Sequence, residues 1–139
     1  MKTPAWIPIL FGLSAAYDGI LGLLFLVAPG YPFQVFGVTP PNHMGYVQFP
    51  AALLLIFTLM FTKIALNPIR HRDLIPYGIF LKAAYCAVSG WHWLAASIPN
   101  MWKPFTVIDL VMGILFIWAY AILTSAGRRG ERGVNVESH

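Results

Sequence analysis

Four long apolar stretches, broken only by isolated polar residues, divide the chain: about 6–28, 47–66, 74–98 and 105–124. Each reaches about 20 residues or more, the length a helix needs to cross a hydrocarbon layer of about 30 Å. A β-barrel would show short alternating segments, and an open sheet could not satisfy its edge groups in lipid. Pro8, Pro50, Pro76 and Pro104 fall near the starts of the stretches, where a missing N–H costs little because first-turn donors lack acceptors within the helix. The pattern predicts an all-α integral membrane four-helix bundle over residues 1–126, followed by a flexible polar cytoplasmic tail over 127–139.

Composition strengthens this reading. The 139 residues are 58% hydrophobic and 10% charged, whereas an ordinary soluble domain carries about 25% charged residues. An aromatic share of 15% also excludes intrinsic disorder. The net charge of +4 with neutral histidines points to membrane orientation, and no nucleic-acid partner is expected. Lys2, Lys63, Arg70, Arg72, Arg128, Arg129 and Arg132 fall at the N-terminus, at the second connection or in the tail, while Lys103 stands beside an outer connection. Positive charge concentrates on the cytoplasmic side, so both termini are expected inside, N-in and C-in. The first stretch contains Asp18 and lacks an A-x-A cleavage pattern, and is expected to stay attached. Cys86 stands alone, which excludes a paired-thiol relay and leaves it a helix-packing residue.

The longest connection, Pro29 to Tyr46, is rich in Pro, Gly and aromatic residues and is expected to form a lid or a short interfacial helix. Phe33, Val35, Phe36 and Val38 would then dip toward lipid. Tyr31, Tyr46, Trp91, Trp93 and Trp102 sit near the outer boundaries and read as an interfacial aromatic belt in preference to a ligand cage.

Ionisable side chains inside spans cost about 2.5–3.5 kcal/mol near the centre on insertion scales, so they turn toward neighbouring helices and find partners. Asp18, Lys82 and Asp109 qualify. At 100° per residue, Gly78, Lys82, Tyr85, Ser89 and His92 form one polar stripe, with Phe80, Ala84, Ala87, Val88 and Trp91 opposite. The first stretch places Phe11, Ser14, Asp18, Gly22 and Phe25 on one face, and the fourth does the same with Asp109, Gly113, Phe116 and Tyr120. Both read D-x-x-x-G-x-x-F, and a glycine one turn after each acid admits a neighbouring backbone. Depths counted along the helices pair Asp18 with Lys82, beneath a second pair of Asp109 and His92. The candidate buried polar core, or ligand and proton site, is thus Asp18, Lys82, Tyr85, Ser89, His92 and Asp109.

No catalytic residue and no metal site is expected. His43, His71 and His139 lie in loops or the tail, so a membrane-embedded haem lacks a second ligand for His92. The string His71, Arg72, Asp73 has no glycine-rich loop or soluble lobe to make it a kinase element, and Asp73 reads as a cap for the third helix.

Four short spans, the Pro29 to Gly37 element with Phe36 before its last glycine, and inward-facing polar residues resemble the DoxX-like group of small bacterial membrane proteins over about residues 5–124. The resemblance implies a multi-pass protein of the bacterial inner membrane. Some members are associated with quinone-linked sulfur oxidation, but no thiosulfate-handling motif is recognisable here. The leading expectation is a non-enzymatic accessory subunit, or a bundle that binds an apolar ligand such as a quinone, with the bilayer and a membrane-protein partner or second copy around it. The alternative is a proton-coupled small-molecule transporter using Asp18, a role at odds with a permanent ammonium beside that carboxylate. A membrane oxidoreductase component using Asp109 and His92 as acid and base ranks behind both.

Overall fold

The computed structural model describes residues 3–137; Lys2 and His139, both used above, lie outside them. Five α-helices follow one another: α1 (Trp6–Val27), α2 (Tyr31–Phe36), α3 (Gly45–Leu66), α4 (Ile75–Ala95) and α5 (Lys103–Glu137), with a 3₁₀ turn at Arg72–Leu74 before α4. No strand occurs among the described residues.

Three helices, α1, α3 and α5, are long and apolar enough to cross a membrane. The chain is accordingly a membrane protein by the length and composition of its helices. The expected third span, α4, has 21 residues but is not among the three, because Lys82, Ser89 and His92 dilute its hydropathy. Large apolar side chains cover the outside: Ile20 is 67% exposed, Phe80 65% and Ile117 55%. In water such a surface would associate, whereas hydrocarbon solvates it at no penalty.

The helices run alternately up and down. α1 lies along α3, and α4 along α5. Gly22 lets the first pair close up, since a Cβ there would stand 3.0 Å from the Ala51 carbonyl oxygen and 3.0 Å from Leu55 Cδ2. Gly113 does the same for the second pair, a Cβ there meeting the Lys82 Cβ at 3.3 Å. The two glycines that follow the acids therefore sit at helix contacts, as the repeated pattern implies.

The lower half is filled by apolar side chains. Phe11 stacks on Phe116 at 4.7 Å between ring centroids, and Phe61 meets Phe116 at 5.3 Å. Ile7, Ile64, Ile75 and Leu123 complete this core. A smaller cluster at the upper end joins Phe25, Phe33, Ala51 and Met101.

The connection after α1 contains the expected short helix, closed by Gly37 at φ +64°, a left-handed conformation that glycine adopts without strain. Its orientation differs from expectation. Phe33 is buried against Phe25 and Trp102 and Val38 is half-buried, while Val35 and Phe36 face outward as expected. Asp73 makes no side-chain cap at α4, which begins from the 3₁₀ turn instead.

The last helix departs most from the sequence reading. A flexible tail is expected from Gly127 onward, yet α5 continues through Glu137. No proline follows Pro104 to stop it, and Gly127 packs under the Arg72 guanidinium, where a Cβ would stand 2.8 Å from a guanidinium nitrogen. The 35-residue helix measures about 52 Å at 1.5 Å per residue, far more than an apolar layer requires.

Candidate functional site

Three helices deliver the charged residues. On α1 the buried face contains Phe11, Ser14, Asp18, Gly22 and Phe25, spaced by three or four residues as an inward stripe demands. On α4, Gly78, Lys82 and Ser89 are buried, Tyr85 is half-buried, and Phe80, Ala84, Ala87, Val88 and Trp91 are exposed. On α5, Thr106, Asp109 and Phe116 turn inward.

They meet at the Lys82 ammonium. Its Nζ donates to Asp18 Oδ1 at 3.0 Å and lies 3.3 Å from Asp18 Oδ2, and it donates to Asp109 Oδ1 at 3.0 Å. Asp18 and Lys82 are each 1% exposed and Asp109 8%. The Tyr17 and Phe61 rings approach the same nitrogen, with centroids at 5.5 and 5.8 Å, and add the attraction of their faces to the cation. The expected Asp18 and Lys82 contact is thus present.

The expected second pair is not. Asp109 shares Lys82, whereas His92 is exposed and makes no ion pair. The register of α4 against α5 explains it. Ser89 faces Thr106 and Lys82 faces Gly113, so His92 falls near the start of α5, about two turns above Asp109. His92 therefore leaves the candidate site.

Tyr85 and Ser89 belong to a second polar group just above the triad. The Ser89 hydroxyl donates to the Tyr85 carbonyl at 2.7 Å. Thr106 Oγ1 stands 2.9 Å from Ser89 Oγ and 3.0 Å from the Trp102 carbonyl, sharing its one proton between them. The Tyr85 hydroxyl reaches the Trp102 carbonyl at 3.4 Å, and Cys86 Sγ lies 3.5 Å from the Thr106 carbonyl. These hydroxyls tie α4 to α5 without chemistry of their own.

Between the two helix pairs lies a cavity of about 660 Å³, within the range of pockets that hold small organic molecules. Asp18, Asp109, Tyr17 and Tyr85 form its polar end. Leucines, prolines and aromatic rings form its walls, and Val38, Thr39, Pro40, Pro41 and Pro99 close the upper rim. Trp102 lines the cavity, stacked on Phe25 at 6.0 Å and set edge-on to Phe33 at 6.1 Å. Trp102 thus leaves the expected aromatic belt, whereas Tyr31 and Trp91 do lie exposed near the upper end.

Sequence reasoning missed Tyr17, Thr106 and the ring wall. Among buried side-chain polar atoms of the described residues, the Tyr17 hydroxyl alone has no hydrogen-bond partner. A buried phenol is ordinarily paired; Tyr17 lines the cavity with its hydroxyl oxygen itself buried. Thr106 lies three residues before Asp109 on the same face, a spacing from which it could have been found; Tyr17 sits 100° away from Asp18 on α1 and carried no such signal.

Among the described residues no group of three or more His, Cys, Asp or Glu side chains could hold a metal ion. Comparison with protein-family models, with curated proteins and with solved structures finds no match to this chain.

Proposed function

We propose that the chain is a four-span protein of the bacterial inner membrane, N-in and C-in, whose helices enclose a binding site for an apolar small molecule. The single observation that carries this reading is the cavity of about 660 Å³, apolar along its walls and lined by two carboxylates. A bundle built only for rigidity would fill that space with side chains, because interiors are close-packed and a void forfeits dispersion contacts. A binding or accessory role is in keeping with the resemblance to DoxX-like proteins and with the apolar walls of the cavity. A quinone is one apolar molecule of this class.

The fourth crossing is assigned to α4. Lys82 is paired on both sides, and the face opposite it is apolar, so α4 can meet lipid without exposing charge. Orientation follows the basic residues at the end shared by the α3–α4 connection and the last part of α5.

Proton-coupled transport is the second reading, because both carboxylates line the cavity. In that case Asp109 is the better proton carrier, since both oxygens of Asp18 are engaged by Lys82.

Purification in a mild detergent, followed by solvent extraction and mass spectrometry, tests the binding reading. The expected result is an apolar molecule at near-equal molar amount, reduced roughly tenfold in Leu54→Trp, whose indole would occupy space that Leu54 borders. Equal recovery from both proteins would overturn it.

A further inference from the structure

The charges at the polar end do not balance. Two carboxylates, Asp18 and Asp109, face one ammonium, and no other ion pair is formed there among the described residues. The three N–H bonds of Lys82 are spent on Asp18 and on Oδ1 of Asp109, so the second Asp109 oxygen is left out of its contacts. That carboxylate is the more accessible of the two, with 12% of its side chain exposed against 2% for Asp18, and it lines the cavity. An uncompensated negative charge in apolar surroundings is costly unless it takes up a proton or meets a second cation, and among occupants only a cation relieves it.

The walls carry the same preference. Phe33, Phe25, Trp102, Phe105 and Tyr17 form a continuous chain of rings whose successive centroids lie 6.4, 6.0, 6.3 and 6.3 Å apart. The chain runs from the rim to the residue beside Asp18, and all five rings line the cavity. Aromatic faces are negative and attract cations, most strongly where water is excluded.

We propose that the occupant of the cavity is an organic cation with an apolar body, its positive charge seated beside Asp109 and its apolar part held by the ring chain. This rests on the binding reading above and names the class of ligand. The cation completes a group of two negative and two positive charges, which no quinone or other neutral molecule does. An anion of the same shape is repelled.

The test uses the full chain in a neutral detergent and two probes of matched shape, tetraphenylphosphonium and tetraphenylborate, measured by equilibrium dialysis against empty micelles. A neutral quinone, decylubiquinone, forms the third arm. Tetraphenylphosphonium is expected to bind once per chain and tetraphenylborate not at all. Asp109→Asn is expected to weaken phosphonium binding roughly tenfold or more, and Asp109→Glu to retain most of it.

Equal uptake of the two ions, or unaltered phosphonium affinity in Asp109→Asn, overturns the proposal. If Asp109→Asn fails to fold, the contrast between the two ions on the unsubstituted chain decides alone. Binding of decylubiquinone but not phosphonium, abolished by Leu54→Trp, would remove the cation and keep the apolar-ligand site. Binding of any probe that Leu54→Trp leaves unchanged would remove the site itself.

Discussion

Lys82→Met is expected to lower the stability of the folded chain in detergent by about 3–5 kcal/mol, the cost of removing one partner from a buried ion group. Among the described residues the ammonium is the only positive charge in contact with Asp18 and Asp109. Without it two carboxylates remain in a space lined by rings and leucines, with no cation beside them. Asp18→Asn should cost less, because an amide oxygen still accepts from Lys82 and Asp109 still neutralises it. The informative protein is the triple change Lys82→Met, Asp18→Asn, Asp109→Asn, which keeps near-equal volumes and removes every charge. It is expected to be more stable than Lys82→Met alone, since residues sharing one ion network are not additive. Unfolding by graded addition of a denaturing detergent, followed by circular dichroism, measures all three. A triple variant at the sum of the single losses would mean that the three charges act independently.

The second large effect is steric. Gly22→Val is expected to destabilise the contact between α1 and α3 by about 1–3 kcal/mol, the usual cost of overfilling a packed interior. Even a bare Cβ at this position stands 3.0 Å from the Ala51 carbonyl oxygen, and backbone cannot swing aside as a side chain can. Valine adds two methyl groups to that crowding. The control is Gly12→Ala, also on α1, where a Cβ meets nothing within 4 Å; there the melting temperature should hold or rise, because alanine is the better helix former. Equal melting temperatures for Gly22→Val and the unsubstituted chain would show that α1 and α3 do not rely on this approach.

What the sequence made legible was whatever a single helix decides by itself. The buried face of α1 from Phe11 to Phe25 follows from the 3.6-residue period, as does the division of α4 into a side with Lys82 and a side with Phe80. The Asp18 contact with Lys82 was legible too, because two charges inside apolar stretches have few other partners. Its third member was not. Pairing Asp109 with His92 assumed that the third helix runs to residue 98, whereas α4 ends at Ala95 and Ser97 turns the chain with φ +68°. That turn fixes the register of α5, and no local pattern encodes it. The cavity was illegible for the same reason, since it exists only in the separation of one helix pair from the other. Trp102 looked interfacial because its position near a helix end says nothing about which way the ring turns.

The end of α5 misled in another manner. Gly127, Gly130 and Gly133 each cost a helix roughly 1 kcal/mol against alanine, which argues for coil when the segment is taken alone. Placed after a long apolar helix, it needs no new nucleus, and propagation is far easier than initiation.

That unbroken helix has a mechanical consequence. Asp109 and Arg132 sit on one continuous rod, about 35 Å apart along its axis at 1.5 Å per residue. No proline lies between them to absorb torque. Any rotation of α5 when the Asp109 carboxylate changes partner is therefore delivered to the arginines at the far end, as a crankshaft carries motion from piston to wheel.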